Sequence, residues 1–282
     1  MNAARKTQTD IRGKVMLRMS GGCASPLVLE VATRVARTFR GELRGLFIEN
    51  EELLALAGLP FAREISLAGR RSRSLSLDVV RQEMAAASAA MEREFERLKQ
   101  RARIPAYFEV IQGAAEDALQ REMRDTGILA IGEPVTLATP DVFAKLFQDL
   151  TGLSGVVVVG CEARRAKGPV LSVIDPACDV ALLVDTAEKI AGEGDEQVVI
   201  IVAAGDDAEA ERLESEARTA IDAGTRYRFE RIVAITPRSL AALVAGDQGG
   251  LVVARAGGPV AEDGGGASRF ACAIDCPLFL LR

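Results

Sequence analysis

Short apolar runs alternate with amphipathic segments along the first half of the chain. The runs at 15–19 and 43–48 flank a segment that starts with Ser25-Pro26, a pair typical of a helix N-terminus. Apolar residues three or four positions apart then predict a long helix over 80–102. Further strands are predicted at 106–111, 128–131 and 156–159, with helices at 114–125 and 141–150 between them.

The same order of elements recurs in the second half. An apolar run at 170–174 ends in Asp175-Pro176, which predicts the start of a helix that reaches residue 191. Further strands are predicted at 197–203, 227–235, 251–254 and 277–281, with helices at 206–223 and 237–245 and a short helix before Pro277. A β-α-β-α-β-α-β-α-β unit therefore occurs twice. Apolar strands joined by helices predict an α/β fold of two tandem, doubly wound, five-stranded parallel sheets.

Residues 50–78 interrupt the first unit. A short helix is predicted to end at Gly58, and the remainder is predicted to be a loop that contains Arg70 and Arg71. The segment has many apolar residues, so it either covers the sheet or forms an interaction surface. The two arginines fit a solvated loop, or else a contact with an acidic partner, a membrane surface or a phosphate.

The composition excludes several kinds of chemistry. The chain has no histidine, which rules out Ser-His-Asp and Cys-His catalysis and histidine-ligated metal sites. The net charge is +4 over residues 1–168 and −9 over residues 169–282. This asymmetry supports a division near residue 168, although drift of surface charge has the same effect. The overall net charge of −5 argues against nucleic acid as a partner.

The cysteines and the N-terminal residues indicate the compartment. Five cysteines occur without a CxxC pair, which favours small buried side chains in a reducing compartment over a metal or redox site. The N-terminal residues include no apolar stretch of the kind found in signal peptides. No apolar run is long enough to span a bilayer. We therefore expect a cytoplasmic protein with no bound metal.

Short motifs at the ends of the predicted strands point to one family. The second unit opens with VLSVID, which puts Asp175 at a strand end, and closes with AIDCPLFLLR, which includes Cys276-Pro277. The first unit opens with VMLRMSGG and contains VIQGAAEDAL. The chain thus resembles a tandem universal stress protein of the UspA type, with domains at 13–160 and 168–282. The resemblance implies a fold like that of the adenine nucleotide alpha hydrolases, with the two fifth strands near a shared interface.

The resemblance also implies where a ligand binds. In nucleotide-binding members, an Asp after the first strand contacts adenine or ribose, and a glycine-rich loop after the fourth strand holds phosphates. The corresponding residues of the second domain are Asp175, Gly257, Gly258, Gly264 and Gly265. The spacing of these glycines departs from the family pattern, and Glu262 and Asp263 add negative charge. Asp175 has an alternative role as the N-cap of the following helix.

The first domain departs further from the family pattern. Ser20 replaces the Asp, and no Gly-x-x-Gly follows the fourth strand, so we expect the phosphate site to be lost. Ser20, Gly21 and Gly22 stay candidates for an anion site made of backbone N–H groups. The alternative is a tight turn that requires small residues.

Two hypotheses for the function follow. The first is a non-catalytic, stress-related regulatory protein that binds ATP or AMP in its second domain. The second is a degenerate scaffold without nucleotide, in which residues 50–78 recruit a protein partner or form a homodimer. An enzyme would have to use Asp, Glu, Lys or Cys for acid–base work, and no convergent set of these residues is apparent in the sequence.

Overall fold

A computed structural model describes residues 14–19, 26–65, 72–113, 121, 127–132, 153–261 and 266–282. The strands of these residues are β1 (Val15–Met19), β2 (Leu43–Asn50), β3 (Arg63–Ile65), β4 (Ser72–Ser74), β5 (Ala106–Gly113), β6 (Ile128–Gly132), β7 (Gly155–Val159), β8 (Val170–Ile174), β9 (Val198–Ala203), β10 (Tyr227–Ile232), β11 (Leu251–Arg255) and β12 (Leu278–Leu281). The helices are α1 (Pro26–Thr38), α2 (Glu51–Ala57), α3 (Leu77–Ala102), α4 (Val180–Gly192), α5 (Asp207–Ala220), α6 (Pro237–Asp247) and α7 (Gly266–Ala273).

Ten of the strands form one sheet, in the order β10-β9-β8-β11-β12-β7-β6-β1-β2-β5. Each half of the sheet therefore repeats one order, in which the third, second, first, fourth and fifth strands of that half lie side by side. Neighbours within a half are parallel, whereas the fifth strands β7 and β12 pair antiparallel, with Val158 opposite Leu278. The α/β class with a mostly parallel sheet is confirmed, while the domain limits at 13–160 and 168–282 stay predictions.

Helices cover both faces of the sheet, as its apolar strands require. On β8, Val170 and Ile174 face one core with α1, α3, α4 and α5, and Leu171 and Val173 face the other with α6 and α7. The same alternation on each buried strand divides the interior into two layers. In the part of the chain that the structure describes, no helix combines the length and the apolar character that a membrane span requires.

The long helix predicted from the spacing of apolar residues is confirmed as α3. Its stripe of Val80, Met84, Met91 and Phe95 is buried. The Phe95 ring packs against Phe108 of the edge strand β5, with 5.8 Å between ring centroids. Met91 and Phe95 thus attach α3 to the outer strands of the first half, while Val80 and Met84 pack with Ala57 of α2.

The local structure differs from the sequence prediction at two places, and two predicted helices lie almost wholly outside the described residues. The helix predicted to start at Asp175 begins instead at Val180, because Asp179 is the N-cap and accepts from the Leu182 backbone N–H at 3.0 Å. The loop predicted after Gly58 contains the hairpin β3–β4, in which Arg73 pairs with Glu64. Apart from residue 121, the predicted helices at 114–125 and 141–150 lie outside the described residues.

A buried polar junction joins the two halves. Arg34 of α1 donates to the carbonyl oxygens of Ala166 and Ile190 and pairs with the carboxylate of Glu196. Glu196 also accepts from the backbone N–H of Gly168 at 2.9 Å. The side chains of Arg34 and Glu196 are only 11% and 12% exposed, so each charge depends on the other for compensation.

Candidate functional site

The second half of the sheet has a topological switch point at β8. This strand lies between β9 and β11. The helix that follows β8 packs on one face of the sheet, and the helix that precedes β11 packs on the other. In open α/β sheets, ligands bind outside the carboxyl ends of the strands at such a point. We therefore consider residues 175–178 and 255–258 together as the β8–β11 site.

Asp175 directly follows β8 and is 5% exposed. Its Oδ1 accepts hydrogen bonds from Arg255 Nη2 at 3.1 Å and from the Ala177 backbone N–H at 2.9 Å. Its Oδ2 accepts from Arg255 Nε at 3.4 Å. The buried carboxylate is thereby compensated by a guanidinium from the end of the neighbouring strand, and it does not cap the next helix.

Arg255 is the site residue that the sequence analysis missed. It is the last residue of β11, and its side chain is 28% exposed. Its Nη1 lies 3.9 Å from the point that a Cβ on Gly257 would occupy, so the guanidinium also borders the glycine loop. The sequence does hold a signal for this residue, because Arg255 is the one charged residue of the otherwise apolar run Leu251–Arg255.

Two of the predicted glycines lie beside this ion pair. Gly257 has a φ of +75°, a conformation that favours glycine. A Cβ on Gly258 would lie 3.1 Å from Asp175 Oδ2, so a side chain there would press on the carboxylate. The structure thus brings Asp175, Gly257 and Gly258 together. The other predicted site residues lie outside the described residues: Gly264, Gly265, Ser20, Gly21 and Gly22.

Cys178 supplies the one thiol of the β8–β11 site. Its Sγ accepts from the Asp175 backbone N–H at 3.4 Å. Burial raises the pKa of the Cys178 thiol to about 11. The thiol is therefore protonated near neutral pH and is a weak nucleophile there. Across the residues for which coordinates are described, no three Cys, Asp or Glu side chains cluster as a metal ion requires.

The corresponding strand end of the first half is built differently. β6 ends in Gly132, at the position that Arg255 occupies in β11. A Cβ on Gly132 would lie 2.2 Å from a methyl carbon of Val28 on α1. An apolar contact therefore occupies this point of the first half, whereas an ion pair occupies it in the second.

Comparison with solved structures finds this fold in proteins of low sequence identity. A universal stress protein from Archaeoglobus fulgidus DSM 4304 matches with a TM-score of 0.61 at 16% identity, over 96% of this chain and 97% of that one. A functionally unknown protein from Pseudomonas aeruginosa PAO1 matches with a TM-score of 0.58 at 13% identity, over 96% and 93% of the two chains. A protein from Pseudomonas aeruginosa UCBPP-PA14, provisionally described as a universal stress protein, matches with a TM-score of 0.57 at 14% identity, over 96% and 94%.

Sequence comparison adds no closer relative. No protein-family model matches the chain, and no curated protein matches it either. The structural matches cover nearly the whole chain, so the chain has the fold of universal stress proteins. The fold alone does not give the function, which has to be argued from the site.

Proposed function

We propose that the protein is a non-catalytic, stress-related regulatory protein that binds an adenine nucleotide at the β8–β11 site. The observation on which this proposal rests is the buried ion pair between Asp175 and Arg255, with 3.1 Å between Oδ1 and Nη2. The pair provides a hydrogen-bond acceptor and a donor at the switch point of the second half. The fold shared with universal stress proteins supports the regulatory role.

The residues of the site suit the two ends of a nucleotide. Asp175 Oδ2 accepts one hydrogen bond, from Arg255 Nε, and so retains one lone pair that can accept from an amine or hydroxyl group of adenosine. Arg255 and the backbone N–H of Gly257 suit a phosphate, whereas the Gly258 N–H already donates to the Arg255 carbonyl oxygen at 3.2 Å. Arg255 is the one cation of the site, and Glu262 and Asp263 follow the loop in sequence. We therefore expect AMP to bind at least as tightly as ATP, because additional phosphate charge has no additional partner.

The protonated Cys178 thiol and the paired Asp175 carboxylate support nucleotide binding without catalysis. Cys178 is the one thiol of the site, and its raised pKa of about 11 keeps it protonated near neutral pH. The carboxylate of Asp175 is already held by Arg255 and by a backbone N–H. Neither group is therefore poised as a nucleophile or as a general base.

Asp175→Asn tests the proposal, because it removes the negative charge and keeps the shape of the side chain. We expect calorimetric titration to show AMP binding to the unmodified chain and at least about 10-fold weaker binding to the variant. A hydrogen bond to a charged group contributes roughly 1.5–3 kcal/mol, and 1.4 kcal/mol corresponds to a factor of 10.

Asp206→Asn is the matched control. Asp206 caps α5 and accepts from the Glu209 backbone N–H at 2.8 Å, outside the β8–β11 site. Its variant should bind AMP like the unmodified chain, and circular dichroism should show that both variants are folded. If the folded, unmodified chain binds none of AMP, ADP and ATP, the proposal is wrong. If Asp175→Asn binds AMP as tightly as the unmodified chain does, the Asp175 carboxylate does not contact the nucleotide.

A second candidate function is a scaffold without nucleotide, in which residues 50–78 pair two copies of the chain. The observation that favours it is an exposed apolar surface: Leu56, Leu59 and Phe61 are 50%, 40% and 76% exposed. The opposite side of α2 packs on α3, where Ala57 contacts the cluster of Val80 and Met84. The helix is thus held in place with Leu56 directed outward, and Leu59 and Phe61, which follow the helix, extend the exposed apolar surface. Such a surface is typical of an interaction site.

The double variant Leu56→Ser/Phe61→Ser tests this candidate. If two copies pair through the surface, light scattering after size exclusion should give a dimer for the unmodified chain and a monomer for the variant. Val233→Ser is the control, because Val233 is 82% exposed but lies just after β10 in the other half. A monomeric unmodified chain, or a dimer that survives the double substitution, would contradict pairing through this surface.

A further inference from the structure

On the face of the sheet that α1 and α3 cover, the molecule has a cleft that is separate from the β8–β11 site. It lies between α1 and the C-terminal half of α3, and residues 166, 167, 193, 194 and 196 border it on the side of the second half. Its volume is about 770 Å³. Binding sites for small molecules span roughly 300–1,000 Å³ and occur preferentially where two structural units meet. None of the residues of the β8–β11 site lines this cleft.

The cleft has apolar side chains between charged ones. Leu29 of α1, Leu98 and Ala102 of α3, and Ala166 line it. Leu29 and Ala166 are 6% and 4% exposed, and Leu98 packs against the main core. These side chains are anchored in the protein interior, so the apolar part of the cleft is formed before any ligand arrives.

The carboxylates of the cleft are compensated from within it. Each of its four glutamates pairs with a lysine or arginine that also lines the cleft, in the pairs Glu30–Lys167 at 3.5 Å, Glu193–Arg37 at 3.5 Å, Glu94–Arg97 and Glu196–Arg34. These eight side chains therefore contribute no net charge. A ligand has no unpaired carboxylate here with which to interact.

Arg101 is the additional cation of the cleft. It lines the cleft near the end of α3, one turn beyond Arg97. Among the described residues, no carboxylate lies within salt-bridge distance of its guanidinium. The cleft therefore has a net charge of about +1, in a chain whose overall net charge is −5.

We propose that this cleft binds a small apolar molecule that has a single carboxylate, with the carboxylate on Arg101 and the apolar body on Leu29 and Leu98. The planar guanidinium matches the two oxygens of a carboxylate. One unpaired cation balances one negative charge, whereas a phosphate monoester has a charge of about −1.5 to −2 at neutral pH. The proposal is independent of nucleotide binding, because the two sites share no residue.

Sodium decanoate is the probe, since it combines one carboxylate with an apolar chain. We expect calorimetric titration to show one decanoate bound per chain. Arg101→Gln should weaken binding about 10-fold or more, because it removes a charge-assisted pair. Arg93→Gln is the matched control: Arg93 is an exposed arginine of α3 that does not line the cleft, so its variant should bind like the unmodified chain.

Two further probes separate the charge from the apolar chain. Decanol should bind at least about 10-fold more weakly than decanoate, and decyl phosphate should gain nothing over decanoate. Several results would overturn the proposal: no saturable binding of decanoate, equal binding by Arg101→Gln, or tighter binding of decanol or decyl phosphate. Excess AMP should leave the decanoate affinity unchanged, and competition between them would instead indicate a shared site.

Discussion

Replacing Arg34 by methionine is expected to lower the free energy of unfolding by about 3–5 kcal/mol. The substitution keeps an apolar side chain of similar length but leaves the Glu196 carboxylate, which is 12% exposed, without its guanidinium. It also removes the donors to the carbonyl oxygens of Ala166 and Ile190. Since domains are stable by only about 5–15 kcal/mol, chemical denaturation should detect this loss readily.

Two variants separate the cost of the buried charge from other effects. Arg37→Met removes an arginine from the same helix, but its pair with Glu193 is 3.5 Å long and its side chain is 45% exposed, so we expect a loss below about 1 kcal/mol. Adding Glu196→Gln to Arg34→Met should recover part of the loss, because the remaining group is no longer charged. Equal losses for Arg34→Met and Arg37→Met would show that the junction contributes little.

Replacing Gly160 by alanine is the second substitution with a large expected effect. Gly160 follows β7, and an added Cβ would lie 1.9 Å from the carbonyl oxygen of Ala271 and 2.4 Å from its carbon. Both are backbone atoms of α7 and cannot rotate away, so the helix has to shift from the sheet. We expect a loss of about 3 kcal/mol in the free energy of unfolding, at the upper end of the usual range for overpacking.

Gly246→Ala is the matched control for this substitution. Gly246 lies within α6, and a Cβ there would meet no atom within 4 Å. Because glycine weakens a helix by roughly 0.5–1 kcal/mol relative to alanine, we expect the control to be slightly more stable than the unmodified chain. A Gly160→Ala protein of unchanged stability would mean that α7 packs less closely on Gly160 than the structure indicates.

Features that depend on neighbouring residues in sequence were predictable. The apolar runs gave the strands of the sheet in the described residues, and the spacing of Val80, Met84 and Phe95 gave α3. The helix at 237–245 was predicted too, and in the structure Thr236 and Pro237 form its start within a few residues. The family resemblance led to the right fold because it rested on this repeated order of elements.

Features that depend on distant residues were not predictable in the same way. Asp175 and Asp179 both resemble helix N-caps in sequence, and the choice between them depends on Arg255, which lies 80 residues further along the chain. The hairpin β3–β4 has only three residues per strand and no apolar alternation to reveal it. The cleft at Arg101 combines residues from α1, α3 and the second half, so only the fold brings them together.

The antiparallel pairing of β7 with β12 resembles the contact across the two-fold axis of a homodimer, but here it lies within a single chain. In a dimer of identical subunits, every mutation appears twice, once on each side of the axis. A single chain is free of this restriction, so the fourth strand can end in Gly132 in one half and in Arg255 in the other. The two halves can thus diverge and specialise. Because one chain contains both, each molecule always has one copy of each half, and dilution cannot separate them.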